Sequence, residues 1–335
     1  VTERVITAAD IVRLKAKLGP DIDEWFEGLE VLDPGPDPVP DPPVVAWSSG
    51  AFTMHQPATL AAMGTWRGKP MANAAVFPTY RSGADKPDQL ADTWWIKAAA
   101  GVPDVSIGMP MCLEGGSIST DLSPQFRKMA TAMKATGQRW FIRLGWEMNL
   151  PQQPWKVTDA NLSLWRQRWA QYYDLFRGIL ADKGLVGFNP NIAENQSGLS
   201  GSILRAWVDG KVDWCGPDVY DCWPAFTSDA NVATQMNRNQ GLNWWASTAA
   251  LKGVPLAVPE WGVSSGTQWP KEQIGRDNPR YVSDMRAFFE RVRKQLLFES
   301  YFNEQAGYVA SDIFRPGAKA SNPLAGDRYR QLFGA

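Results

Sequence analysis

The sequence predicts a (β/α)8 barrel, a closed ring of eight parallel strands wrapped by helices. Two observations predict it. From Val44 onward, short apolar stretches alternate with longer amphipathic ones in one uninterrupted series, the pattern of parallel strands joined by helical crossovers. Two of the apolar stretches end abruptly in a glutamate, as strands do where a barrel presents functional groups at its C-terminal strand ends. An open, doubly wound sheet shares the alternation, but no GxGxxG follows the first strand. A length of 335 residues suits one large barrel with a small appendage.

The appendage comes first. Residues 1–32 are expected to form a helical segment: Ile11, Leu14 and Leu18 recur at helical spacing, and Trp25, Phe26 and Leu29 continue the apolar stripe. Residues 33–43, DPGPDPVPDPP, form a linker, because proline fixes φ and donates no backbone hydrogen bond. This arm either packs on the barrel or tethers it to a larger assembly. The barrel itself occupies 44–335. Its expected strands are Val44–Phe52, Met71–Thr79, Val105–Cys112, Arg139–Met148, Val186–Ile192, Val212–Asp221, Pro255–Val263 and Leu296–Asn303. The expected helices are Gln89–Ala100, Pro124–Thr136, Asn161–Lys183, Ile203–Val208, Asn237–Leu251, Pro279–Lys294 and a final Asp327–Phe333. The connection after the first strand carries the weakest helical pattern.

Strand four reads WFIRLGWEMNL from Trp140 to Leu150. Alternate residues of a strand share a face, so Arg143, Gly145 and Glu147 are expected to point one way. Strand seven, PLAVPEWGV, likewise ends in Glu260. Two carboxyl groups at the ends of two buried strands are what cleavage of a glycosidic bond needs. One protonates the leaving oxygen; the other attacks the anomeric carbon from roughly 5 Å away in a retaining enzyme. RLGWEMN resembles the acid/base motif of clan A glycoside hydrolases. It is most similar to that of the β-mannanase family, family twenty-six, whose pattern is Arg, two or three residues, then His-Glu-Met-Asn. VPEWG resembles the nucleophile motif on the seventh strand of the same clan. The resemblance implies a retaining hydrolase with Glu147 as acid/base and Glu260 as nucleophile. It also implies an endo-acting enzyme on a β-mannan or similar β-linked glycan, while Trp146 in place of histidine leaves the substrate open to a bacterial cell-wall or capsular glycan. Two departures stand out: Trp146 replaces the histidine before the acid/base, and the eighth strand, LLFESYFNEQ, offers Tyr301 or Phe302 where the clan often has a tryptophan.

Other residues are candidates for holding substrate. Arg143 is placed to keep a carboxylate ionised and oriented. Asn149 and Asn191 suit sugar hydroxyls, and Tyr220 in PDVYDCW resembles the clan's tyrosine that hydrogen-bonds the nucleophile. Trp146, Trp261, Trp223 and Trp47 lie near strand ends, where an indole face can pack on a sugar ring. Trp94, Trp95, Trp165, Trp169, Trp244 and Trp245 fall within helices and read as packing residues. Asp218, Asp221, Asn189, Glu194, Glu299 and Glu304 are polar groups near strand ends that serve either substrate or loop structure. Glu114 has no evident place. His55, the single histidine, follows the first strand and either touches substrate or is structural.

Composition narrows the partners. The net charge of −1 gives no reason to expect nucleic acid. No run of about 18 apolar residues is present to span a membrane. One histidine and no CxxC pair speak against a metal site, and no cofactor is expected. Cys112, Cys215 and Cys222 are read as reduced. The N-terminal stretch shows no secretory apolar segment: either a signal was removed before this numbering, or export follows another route, or the protein is not exported in that way; the expected setting is extracellular, or a virion or cell surface. The alternative to an enzyme is a glycan-binding or assembly module on the same scaffold.

Overall fold

The computed structural model describes residues 47–79, 87–267, 269–305 and 309–334. The helical segment expected over residues 1–32 and the linker expected over 33–43 lie outside these residues. The strands are β1 Ser48–Phe52, β2 Asn73–Val76, β3 Asp104–Met109, β4 Arg139–Leu144, β5 Gly184–Phe188, β6 Trp214–Cys215, β7 Val219–Tyr220, β8 Leu256–Gly262 and β9 Leu296–Phe302. All pair in parallel in the order β6-β5-β4-β3-β2-β1-β9-β8-β7, and Cys215 of β6 also meets Leu256 of β8. That contact closes the ring. β6 and β7 are two halves of one barrel strand, so the architecture is the expected (β/α)8 barrel. The single strand Val212–Asp221 is broken at Gly216–Asp218. There Gly216 packs so closely on the Ala257 carbonyl that a Cβ would overlap it.

The helices are α1 Pro57–Arg67, α2 Trp94–Ala98, α3 Ser123–Thr136, α4 Leu162–Leu180, α5 Asp229–Asn237, α6 Leu242–Lys252, α7 Pro279–Arg291 and α8 Pro323–Phe333. α1 fills the connection with the weakest pattern: Pro57 starts it with a pre-set φ and Gly68 ends it in the left-handed region. The stretch expected as one helix over Gln89–Ala100 is a 3-10 turn, Pro87–Ala91, followed by the short α2. Ile203–Val208 is reduced to a 3-10 turn, Ile203–Ala206. Ahead of α6 lies α5, which the sequence reading missed; the Ser228 hydroxyl caps it by accepting from Asn231 N–H.

Outward faces of the strands pack on the helices. Trp140, Ile142 and Leu144 of β4 join this shell with Trp95, Met133 and Trp165. Inside the barrel, a small separate cluster joins Phe141, Trp214, Ala257 and Phe298. Phe141 and Phe298 stack with centroids 4.2 Å apart and planes 2° off parallel. Trp214 meets Phe298 edge-on, in space left by Gly187, where a Cβ would overlap the indole. The lower barrel is therefore a packed plug. Cys112, Cys215 and Cys222 are free thiols.

Candidate active site

Above the plug the interior changes character. Arg143, two residues beyond Phe141, is fully buried. Its Nε donates to Asn189 Oδ1 at 2.7 Å and its Nη2 donates to Asp218 Oδ2 at 2.6 Å. The same Nη2 contacts Glu260 Oε1. Asn189 in turn donates to Asp218 Oδ1 at 3.1 Å. Burial opposes the charge on Arg143, but the carboxylates of Asp218 and Glu260 outweigh it and hold the guanidinium above its ordinary pKa. Burial pushes Asp218 well up, against the pull of Arg143, and the charges of Glu260 and Glu147 add to the push. Tyr220 completes the cluster by donating its hydroxyl to Glu260 Oε2 at 2.7 Å.

Glu260 reaches this cluster through an irregularity. Ala257 faces inward, so strict alternation would send Glu260 outward. The pairing of β8 with β9 steps from Val258↔Glu299 to Trp261↔Tyr301, three residues against two. The extra residue is a bulge at Pro259–Glu260, and bulges re-aim side chains. Glu260 turns in, and Trp261 turns out into the helix shell.

Glu147 arrives differently. The strand stops at Leu144, and Gly145 and Glu147 both occupy the left-handed region, at φ 55° and 54°. The expected strand face of Arg143, Gly145 and Glu147 is thus corrected: a turn, not an alternation, presents the glutamate. A Cβ on Gly145 would come within 2.8 Å of Met111 Sδ. For a non-glycine residue such as Glu147 this backbone stores strain of about 1–3 kcal/mol, which is characteristic of functional positions. The turn is held by Glu147 N–H donating to the Asn189 carbonyl at 2.7 Å, and by Trp155 Nε1 donating to the Trp146 carbonyl at 2.7 Å. The carboxyl accepts from Asn191 Nδ2 at 2.7 Å and from Gln153 Nε2 at 2.9 Å. Burial, and then the charge of Glu260, push its pKa up to about 7, against the two amides and Arg143.

The structure brings Arg143, Tyr220, Asn191, Glu147 and Glu260 together, with Arg143 paired to Glu260 and Asp218. A cleft of about 640 Å³ opens over Glu147, Asn191 and Tyr220, lined also by Trp223, Arg238 and Trp269 among others; Arg143 and Glu260 do not line it. Trp223 is 45% exposed, Trp269 is 37% exposed, and their rings meet at 84° with centroids 6.0 Å apart.

Several expected contacts lie elsewhere. Trp261 is buried among Tyr281, Phe289, Tyr301 and Phe333, so it presents no face to a ligand. Tyr301 is equally buried and donates to the Ser311 carbonyl at 2.8 Å; Phe302 stacks on Phe52. Trp146 lies beneath the turn, between Phe77 and Trp155. Trp47 precedes β1 at the opposite end of the barrel and packs on Phe289 and Arg286. Asn149 is buried; its amide donates to the carbonyls of Asn191 and Ala193, both at 2.9 Å, tying two rim loops together. His55 accepts from Phe77 N–H at 3.0 Å, and burial pushes its pKa down to about 4. Asp221 is structural, accepting from Phe226 N–H at 2.6 Å and Asn278 Nδ2 at 2.8 Å. Glu299 faces Trp261 in the helix shell, and Glu114 is exposed outside the cleft. Trp94, expected in the core, is 41% exposed and stands edge-on to His55.

The sequence reading missed Gln153, Trp269 and Arg238. Gln153 lies six residues beyond Glu147, in a loop whose path no periodicity describes. Trp269 and Arg238 sit in irregular segments whose approach to the cleft depends on the barrel closing. Among the described residues no group of His, Cys, Asp and Glu is arranged to hold a metal ion, and no helix is long and apolar enough to cross a membrane.

No family model matches the chain, and no curated protein matches it. Solved structures do. An endo-β-1,4-mannanase of Cellulomonas fimi, described with the family 26 glycoside hydrolases, aligns over 84% of this chain and 70% of its own, at 14% identity and a TM-score of 0.58. The catalytic domain of a family 26 endo-β-1,4-mannanase from Bacillus sp. JAMB-750 aligns over 85% of both chains, at 14% identity and a TM-score of 0.57. Thermotoga maritima Cel5A, solved with mannotriose, aligns over 85% of this chain and 97% of its own, at 10% identity and a TM-score of 0.53. At these identities the likeness is one of fold.

Proposed function

We propose that the protein is a retaining glycoside hydrolase acting within a β-linked polysaccharide, mannan-like or from a bacterial cell wall or capsule. The observation that carries this reading is the unequal treatment of two facing carboxyl groups. Glu147 is pushed up to about 7, so near neutrality it holds a proton to give. Glu260 instead receives a guanidinium and a phenol on its two oxygens, the setting of an anionic nucleophile. A carboxyl raised in this way, beside one held by a cation and a phenol, divides the acid and nucleophile roles.

In the first step Glu260 attacks the anomeric carbon while Glu147 protonates the departing oxygen. In the second, Glu147 takes a proton from water, which displaces Glu260 from the sugar. Tyr220 and Arg143 keep the Glu260 carboxylate aimed. Trp223 and Trp269 offer a floor and wall for a sugar ring in the cleft. Solved structures of similar fold include endo-β-1,4-mannanases, which supports a β-glycan substrate.

The test is release of reducing ends from a panel of β-mannans, β-glucans and bacterial surface polysaccharides. Wild-type protein is expected to cleave at least one; Glu260→Ala is expected to cleave none. Equal activity in both would place the chemistry elsewhere.

A further inference from the structure

Each oxygen of the Glu147 carboxyl accepts from one side-chain amide, and the two amides are held in unlike ways. Asn191 is built into the rim. Its Oδ1 accepts from Ala193 N–H at 2.9 Å, its own N–H donates to Asn149 Oδ1 at 2.8 Å, and its carbonyl accepts from Asn149. Its Nδ2 is thereby turned toward Glu147. Gln153 has no such second duty: the only bond of its side chain among the described residues is to Glu147 Oε2, at 2.9 Å. The loop that carries it is pinned by other means. Trp155 is fully buried, its indole bonds the Trp146 carbonyl, and Val157 N–H donates to the Met148 carbonyl at 3.0 Å. An amide that contributes nothing to the loop, and points at one carboxyl oxygen, needs an explanation in terms of that carboxyl.

We propose that Gln153 is a positioning residue that stabilises the ionised form of Glu147 and so sets the pH at which this carboxyl gives up its proton. This rests on the reading of Glu147 as the acid/base. A neutral N–H donor favours the carboxylate over the acid. The other groups facing Glu147 are Arg143 on β4, Glu260 on β8, Asp218 before β7 and the Cys222 thiol after it, which burial keeps protonated. Arg143, Glu260 and Asp218 are tied to one another, so none can be altered without disturbing the nucleophile. Asn191 and Gln153 both act on Glu147 from outside that cluster, and of the two only the Gln153 amide has no second bond in the rim.

The consequence falls on both chemical steps. Glu147 must release a proton to the leaving oxygen and then, as a carboxylate, take one from water. In the glycosyl-enzyme Glu260 is an uncharged ester, so its repulsion of the Glu147 carboxylate is gone. The Gln153 donor then helps to keep the base ionised as the water attacks. Without it, release of the proton is harder and the base step slows at acid pH.

The experiment is a carboxyl 13C NMR titration of the full chain labelled at glutamate, with the Glu147 signal identified by its loss in Glu147→Gln. Gln153→Met removes the donor and is expected to raise the Glu147 midpoint, by about one pH unit or less. Gln153→Lys places a cation at the same site and is expected to lower it. With a cleaved substrate in hand, the basic limb of kcat/KM should move the same way in each variant. Midpoints unchanged in both variants, or moved in the same direction, would overturn the proposal, since displacement of the loop carries no sign. The titration reads the hydrogen bond whether or not hydrolysis occurs. Opposite shifts in a protein that cleaves no polysaccharide would therefore support the Gln153 contact and count against the enzymatic reading.

Discussion

Phe141 and Arg143 point into the same barrel from the same strand, two residues or about 6.6 Å apart. Around Phe141 the interior is apolar and stacked, closed by Phe298, Trp214 and Ala257. Around Arg143 it is ionic, with Nε and Nη2 hydrogen-bonded to Asn189, Asp218 and Glu260. The lower layer resists deformation because it is packed. The upper layer resists because each member satisfies the charge or donor of another. A buried cation with two carboxylates is a poor way to gain stability, since desolvation offsets most of the attraction. Its presence here marks a layer built for something other than holding the fold.

Substitutions can separate the two layers. Arg143→Ala should have the largest effect, because it leaves Asp218 and Glu260 buried without a counter-ion. A loss of about 3–5 kcal/mol is expected, with activity falling in the molecules that remain folded. Phe141→Ala should lower stability by about 3–5 kcal/mol as well, through the cavity it opens, but leave the activity of the folded fraction near that of wild type. Chemical denaturation combined with activity per folded molecule distinguishes the two.

A smaller and opposite effect is expected at Glu147. Its pKa is about 7 in the fold against 4.5 ordinarily, so the native state binds more protons between those values. Stability from this group is therefore present at acid pH and lost as pH rises toward 7. Glu147→Gln should accordingly stabilise the protein at pH 8, by up to about 3 kcal/mol, and change little at pH 4. Thermal unfolding at the two pH values checks the sign; a variant less stable at pH 8 would contradict the strained, desolvated environment described. Trp223→Ala touches neither layer and should raise KM by about tenfold while sparing kcat, the effect of losing one sugar-stacking face. Deletion of residues 1–43 should have the least effect, leaving a folded and active barrel; an insoluble product would instead make the arm part of the fold.

Much of this was legible in the sequence, and the exceptions share a cause. The alternation of apolar and amphipathic stretches disclosed the barrel, and the strand ends disclosed Glu147 and Glu260. What periodicity missed lies where the backbone breaks its period. Glu147 is presented by two left-handed residues after the strand has ended, and Glu260 by a bulge at Pro259. The bulge also explains Trp261: a residue adjacent to a site glutamate was expected in the cleft, yet successive strand residues face opposite ways. Tyr301 fails as a platform for the same reason. Asp218 was recognisable only as a polar residue near a strand end, because its partner Arg143 is 75 residues away in the chain. Gln153, Trp269 and Arg238 come from loops, and which loops converge depends on closure of the ring rather than on any local pattern.

The central claim is that Glu147 and Glu260 divide the two halves of a double displacement. The most direct measurement is azide rescue of Glu147→Ala on an activated aryl glycoside of the sugar found in the polysaccharide screen. The good leaving group departs without an acid, Glu260 still forms the glycosyl-enzyme, and azide needs no base to attack it. Turnover should rise with azide and give a glycosyl azide of retained configuration, read by NMR of the anomeric proton. An azide of inverted configuration, with Glu260→Ala giving the retained one, would reverse the two roles and contradict the account.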